Sequence, residues 1–176
     1  MSMRSGSFSC AVFLAGGALA AATSGARADD CALALAAAIA QAKVPHADTH
    51  VTTPPGKPPV SAQMIFLSDK AYVQINGAWR SVAYSAQEQI GTVTAAAKRA
   101  EQMTHSCQKL GSEPVKGEAA TLLTTRTEGD GKVSEARVWV SDKSGLPLKS
   151  EIHLSNGTLV TDDFRYGNIE APPGVK

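Results

Sequence analysis

Apolar and polar positions change period several times along the chain, and each change marks an element. Residues 30–42 are alanine-rich, with Leu33, Leu35 and Ile39, and are followed by Lys43 and Pro45. Asp29 and Asp30 stand where carboxylates favour a helix N-terminus, and Pro45 stops the run, so the pattern predicts a short helix. Residues 46–53 have strand character, and Pro54 to Pro59 cannot join a ladder and must form a loop. Strands are predicted at 61–67, 71–75 and 79–84, with Asn76-Gly77 as a hairpin turn. Ser85-Ala86-Gln87-Glu88 is a capping box. Ile90, Val93, Ala97, Ala100 and Met103 then follow helical spacing, which predicts a helix over 86–105 with one apolar face. From Cys107 onward the pattern is strands only: 115–127, 133–141, 146–154 and 158–166, with turns at 129–131, Ser144-Gly145 and Asn156-Gly157 and a tail at 171–174.

Short strands joined by hairpin-length turns imply an antiparallel meander. Each strand pairs an apolar row with a Thr, Ser or charged row. One curved antiparallel sheet wrapped around helices satisfies the pattern, giving an α+β fold in a single domain over 29–176.

The first 28 residues read as a cleavable secretory signal. A short polar stretch carries Arg4, residues 10–22 are uncharged and apolar, and Ala26-Arg27-Ala28 is a small-x-small cleavage pattern. The apolar run is too short to span a bilayer, and no other stretch of the chain is longer. The chain has 17 Lys and Arg against 16 Asp and Glu. Losing Arg4 and Arg27 with the signal brings the balance to −1, which offers no basic footprint for nucleic acid. Cys10 stands at the start of the apolar run, where it cannot be a lipid anchor. Cys31 and Cys107 remain as an even pair in an oxidising compartment, and a disulfide between them is expected.

No nucleophile elbow, phosphate loop or dinucleotide fingerprint is present. His46, Asp48 and His50 alternate along a strand and share a face, so they are the most enzyme-like cluster. Their plainer reading is the wet face of an edge strand, because no further ligand follows by spacing. His105 is expected at a helix C-terminus and His153 on an outer strand face. Asp163 is expected to pair with Arg137 or Arg165. Asn156-Gly157-Thr158 fits a glycosylation sequon and is better explained as a turn. No metal ligand, catalytic residue or cofactor is assigned.

The run Val138 to Glu151, with Trp139, Gly145-Leu146-Pro147 and Lys149, resembles the strand–turn–strand of LolA-like periplasmic lipoprotein carriers. Phe164-Arg165-Tyr166 through Pro172 resembles that family's closing segment. Lys70-Ala71-Tyr72-Val73 with Gly77-Ala78-Trp79 resembles the hairpin of related lipid-binding lipoproteins. The resemblance implies a half-open antiparallel barrel whose open side is plugged by helices, with a hydrophobic cavity for acyl chains. It implies a periplasmic, non-enzymatic carrier of a lipid or lipoprotein acyl chain. Met64, Phe66, Tyr72, Trp79, Ile90, Val93, Trp139 and Ile152 are the expected cavity residues. Two other readings stand beside it: an interaction or regulatory module with a solid core, whose partner is an envelope protein, and a metal-dependent hydrolase built on His46, Asp48 and His50. No arginine carries over as a cargo gate.

Overall fold

The computed structural model describes residues 28–175. The expected leader, with Arg4, Cys10 and Arg27, lies outside the described residues except for Ala28. Two helices, α1 (Ala28–Ala42) and α2 (Ala86–Ala100), accompany nine strands: β1 (His46–Thr53), β2 (Val60–Phe66), β3 (Lys70–Ile75), β4 (Ala78–Ala83), β5 (Thr104–Val115), β6 (Glu118–Gly129), β7 (Lys132–Ser141), β8 (Pro147–His153) and β9 (Leu159–Tyr166).

All nine strands form one antiparallel sheet in the order β4-β3-β2-β1-β9-β8-β7-β6-β5. Two meanders, β1–β4 and β5–β9, are separated in sequence by α2. They fuse where β1 pairs with β9, from His46↔Tyr166 to Thr53↔Leu159. The sheet stays open, with β4 and β5 as its edges. This is the expected curved, unclosed α+β architecture.

Two boundaries differ from the sequence pattern. The pattern predicts one strand over 115–127, but a hairpin divides β5 from β6 at Lys116-Gly117. Both turn residues have positive φ, 53° and 82°, which gives the tight reversal whose twist matches a hairpin. A lysine in that first position carries none of the Asn-Gly or Asp-Gly signal. The second difference is the end of α2. Ser85 caps its start as expected, its hydroxyl accepting from the Glu88 N–H at 3.3 Å. The helix closes at Ala100 rather than 105, with the Glu101 N–H bonded to Ala97 O. Thr104 and His105 instead pair with Glu128 and Thr127. Sheet pairing across β5–β6 overrides the helical spacing there.

The expected disulfide is present. Cys31 of α1 is bonded to Cys107 of β5, with Cα atoms 5.1 Å apart and a sequence separation of 76. It pins α1 to one sheet face. Further along, Ala37 packs on Leu123 and Val140, with Ala34 and Val138 beside them. Alanines on this helix let its backbone come close to the sheet. Leu123 is 0% exposed, a burial that stabilises by about 1.5–3 kcal/mol.

Candidate functional site

Pairing register decides which side chains face the helices. Cys107, bonded to α1, lies in a row with Thr125, Ala136, Ile152, Val160 and Thr52. The next row is Lys109, Leu123, Val138, Ser150, Asp162, His50 and Ala62. Strand alternation then places Met64 and Phe66 on the same helix-side face, together with Val73, Ile75 and Val82. Of the eight residues expected to line one cavity, Met64, Phe66 and Ile152 are on this face, and Ile90 and Val93 are on α2. Tyr72, Trp79 and Trp139 are on the opposite face, so they do not line a space between sheet and helices. Trp139 is instead buried with Ala120 and Leu148. Its indole N–H donates to the Glu113 carboxylate, and Lys149 Nζ lies 4.7 Å above the ring. A shift of one residue in pairing reverses the face, and pairing is not written into a strand's own pattern.

Between α1, α2 and the sheet lies a small cavity of about 60 Å³, lined by Ala38, Gln41, His46, Phe66, Tyr84 and Val93 among others. Pockets that take small molecules run to about 300–1,000 Å³. This cavity falls well below that range. Its cover, however, is light. Helix α2 has no buried residue and packs chiefly on α1. Ile90, Val93, Ala97 and Ala100 are only half-buried. The neighbouring sheet wing shows Ile75 at 48% and Val82 at 46% exposure. A groove of about 440 Å³ is lined by Cys31, Ala32 and Leu35 of α1, by Ala97 of α2, and by Glu101, Met103 and His105 beyond it.

The cluster at the start of β1 is not on an edge strand. β1 pairs with β2 on one side and β9 on the other, and the polar row of β1 faces the helices. His46 is 5% and Asp48 7% exposed. The three residues do not act together. His46 Nδ1 donates to the Val44 carbonyl at 2.9 Å, and its ring stacks on Phe66 with centroids 4.6 Å apart. Burial lowers its pKa, so the ring is neutral at pH 7. Asp48 and His50 instead meet Asp162 of β9, whose part sequence reading missed. His50 Nδ1 donates to Asp162 Oδ1 at 2.6 Å, and Ser150 Oγ donates to Asp162 Oδ2 at 2.7 Å. The Asp48 carboxyl is pushed up to about 7, first by burial and then by the Asp162 carboxylate, while His50 opposes. Asp48 Oδ1 has no hydrogen-bond partner. Nearby, the half-buried Tyr166 phenol donates to the Pro147 carbonyl at 2.6 Å, and partial burial raises its pKa.

Three other expectations are settled by pairing. Asp163, on the opposite face, is paired with Lys116 rather than Arg137 or Arg165. His105 sits in β5, not at a helix end, with Nδ1 2.9 Å from Thr127 Oγ1. Asn156 forms a turn, its Oδ1 accepting from the Thr158 N–H at 3.0 Å.

No family model matches the chain, and no curated protein matches it by sequence. Solved structures do resemble it. MucB aligns at a TM-score of 0.55 with 16% identity, covering 84% of this chain and 61% of that one. A chain of the Pseudomonas aeruginosa MucA/MucB complex aligns at 0.54 with 18% identity, over 84% of this chain and 59% of that one. The Mycobacterium tuberculosis lipoprotein LppX aligns at 0.50 with 15% identity, over 84% of this chain and 98% of that one. The chain thus spans about three fifths of MucB and nearly all of LppX. At these identities the likeness is one of fold.

Proposed function

Starting from a LolA-like fold, we propose that this chain is an exported, non-enzymatic binding protein that holds an acyl chain between α2 and the helix-side face of the sheet. One observation carries the reading: α2 buries none of its residues, while the apolar wing beside it stays partly exposed. A helix held this lightly swings away at low cost and exposes Ile90, Val93, Met64 and Phe66 to a ligand. Burying that surface with an acyl chain is worth roughly 25 cal/mol per Å². The cavity of about 60 Å³ is too small for an acyl chain, so in this reading α2 moves to admit one. Tyr72, Trp79 and Trp139 leave the proposed ligand set. Export, to the periplasm in this reading, agrees with the Cys31–Cys107 bridge, which persists in an oxidising compartment.

The same small cavity supports a second reading, in which the core is solid and the partner is a polypeptide. MucB, which shares the fold, has been solved in complex with MucA. The two readings separate by experiment. Native mass spectrometry of protein recovered from the bacterial envelope, with titration of a fluorescent fatty acid, tests the first. Co-purified lipid and saturable probe binding are expected. Bare protein that ignores the probe would sink the carrier and leave the interaction module.

A further inference from the structure

We propose that Asp48, His50 and Asp162 form a binding site for a divalent transition metal, of which zinc is the type case, on the helix-side face where the two meanders join. The site is independent of the acyl-binding reading and uses none of its residues.

The geometry comes from register. His50 of β1 stands directly opposite Asp162 of β9, and Asp48 precedes His50 by two on the same face. One ligand atom from each of the three lies within 4.8 Å of the others. Tetrahedral ligands at about 2 Å from zinc are roughly 3.3 Å apart, so closing the set needs side-chain rotation of the order of 1.5 Å. His50 is on the outer side of the cluster, with 34% of its side chain exposed, against 14% for Asp162. That gives an ion a route in.

A second observation is independent of the clustering. Asp48 is only 7% exposed, and its Oδ1 has no hydrogen-bond partner. A buried acceptor left unsatisfied costs about 1–3 kcal/mol, and more when charged. Two carboxylates beside an imidazole supply the two negative charges a divalent cation matches, and all three are donor types that zinc accepts. The surrounding contacts are those that orient metal ligands. Ser150 Oγ donates to Asp162 Oδ2, and Thr52 Oγ1 lies 3.1 Å from His50 Nε2. On binding, the His50 imidazole changes tautomer through water: the Nδ1 proton is released, Nε2 takes one up and donates it to Thr52 Oγ1, and the freed Nδ1 lone pair goes to the ion in place of the bond to Asp162. Three protein ligands leave a fourth position for water. Among the described residues a second triple of ligand types, Cys31, His105 and Cys107, is closed to metal because its two sulfurs are bonded to each other.

The test uses untagged, oxidised full-length mature protein stripped with chelator. Equilibrium dialysis against micromolar zinc is expected to leave one ion per chain. Asp48→Asn and Asp162→Asn should each weaken binding by at least about tenfold, while His105→Gln should leave it unchanged. Because Asp48 is buried, the wild-type protein supplies a second readout that needs no variant. Zinc should shift the His50 imidazole resonances in a ¹⁵N correlation spectrum and spare those of His105 and His153. No retained zinc, unaltered binding by Asp48→Asn, or a zinc shift confined to His105 or His153 would each overturn the site.

Discussion

The phenol of Tyr84 donates to the carbonyl of Ala42 at 3.1 Å, tying the segment that leads into α2 to the last residue of α1. The ring also packs edge-on against Phe66, with centroids 5.2 Å apart. This contact secures the base of the lightly held helix. Tyr84→Phe keeps the ring and removes the bond. A cost of about 1 kcal/mol is expected, which is about 2–4 °C in melting temperature for a chain of this size. Access of a fatty-acid probe should become faster, read by stopped-flow fluorescence.

Tyr84 also sets an alkaline limit. Burial raises its pKa above 10.0 in the fold. A raised folded pKa means its contribution is whole below pH 10 and is lost as pH rises through the folded value, because the unfolded chain ionises first. Thermal melts of the wild type should fall above about pH 10, and the Tyr84→Phe variant should fall less steeply.

The disulfide contributes more than either of these. For a sequence separation of 76 between the cysteines, the chain-entropy relation gives about 4–5 kcal/mol. A Cys31→Ser, Cys107→Ser double variant should therefore melt at least about 10 °C lower. Calorimetry that found the two proteins equal would remove the bridge from the account of stability.

Asp142 gives the opposite pH response. Its carboxylate accepts from Thr121 Oγ1 at 2.7 Å and from Ser112 Oγ at 2.8 Å, and these bonds lower its pKa below 3.8. Its contribution is present above pH 3.8 and is lost as pH falls through the folded value. The melting difference between wild type and Asp142→Asn should be widest near about pH 5 and vanish in stronger acid.

On the open wing, Ile75→Ser with Val82→Ser tests function apart from stability. Both side chains are nearly half exposed, so the cost to folding should stay within about 1 kcal/mol for the pair. Fatty-acid probe affinity should drop several-fold. Unchanged affinity would place the ligand elsewhere.

Much of the fold could be read locally. The capping box at Ser85, the Asn76-Gly77 and Asn156-Gly157 turns and the Pro-rich loop at 54–59 each lie within a few residues, and each stands where it was expected. The Lys116-Gly117 hairpin is not legible in the sequence, because a lysine at positive φ carries no propensity signal. Helical spacing carries α2 on to 105, but the β5–β6 ladder takes Thr104 and His105.

By itself, then, the sequence determined the α+β class, the run of elements and the pairing of Cys31 with Cys107. These depend on short-range sterics, hydrophobic period and cysteine arithmetic. Tertiary structure alone decided which face each strand turns to the helices, since one residue of register reverses every side chain. It moved Tyr72, Trp79 and Trp139 away from the helices. It also made β1 an interior strand and brought Asp162 to His50 across 112 positions. Nothing local to either residue encodes that meeting. It follows from fusing two meanders through the first and last strands of the chain, which lie side by side in the middle of the sheet.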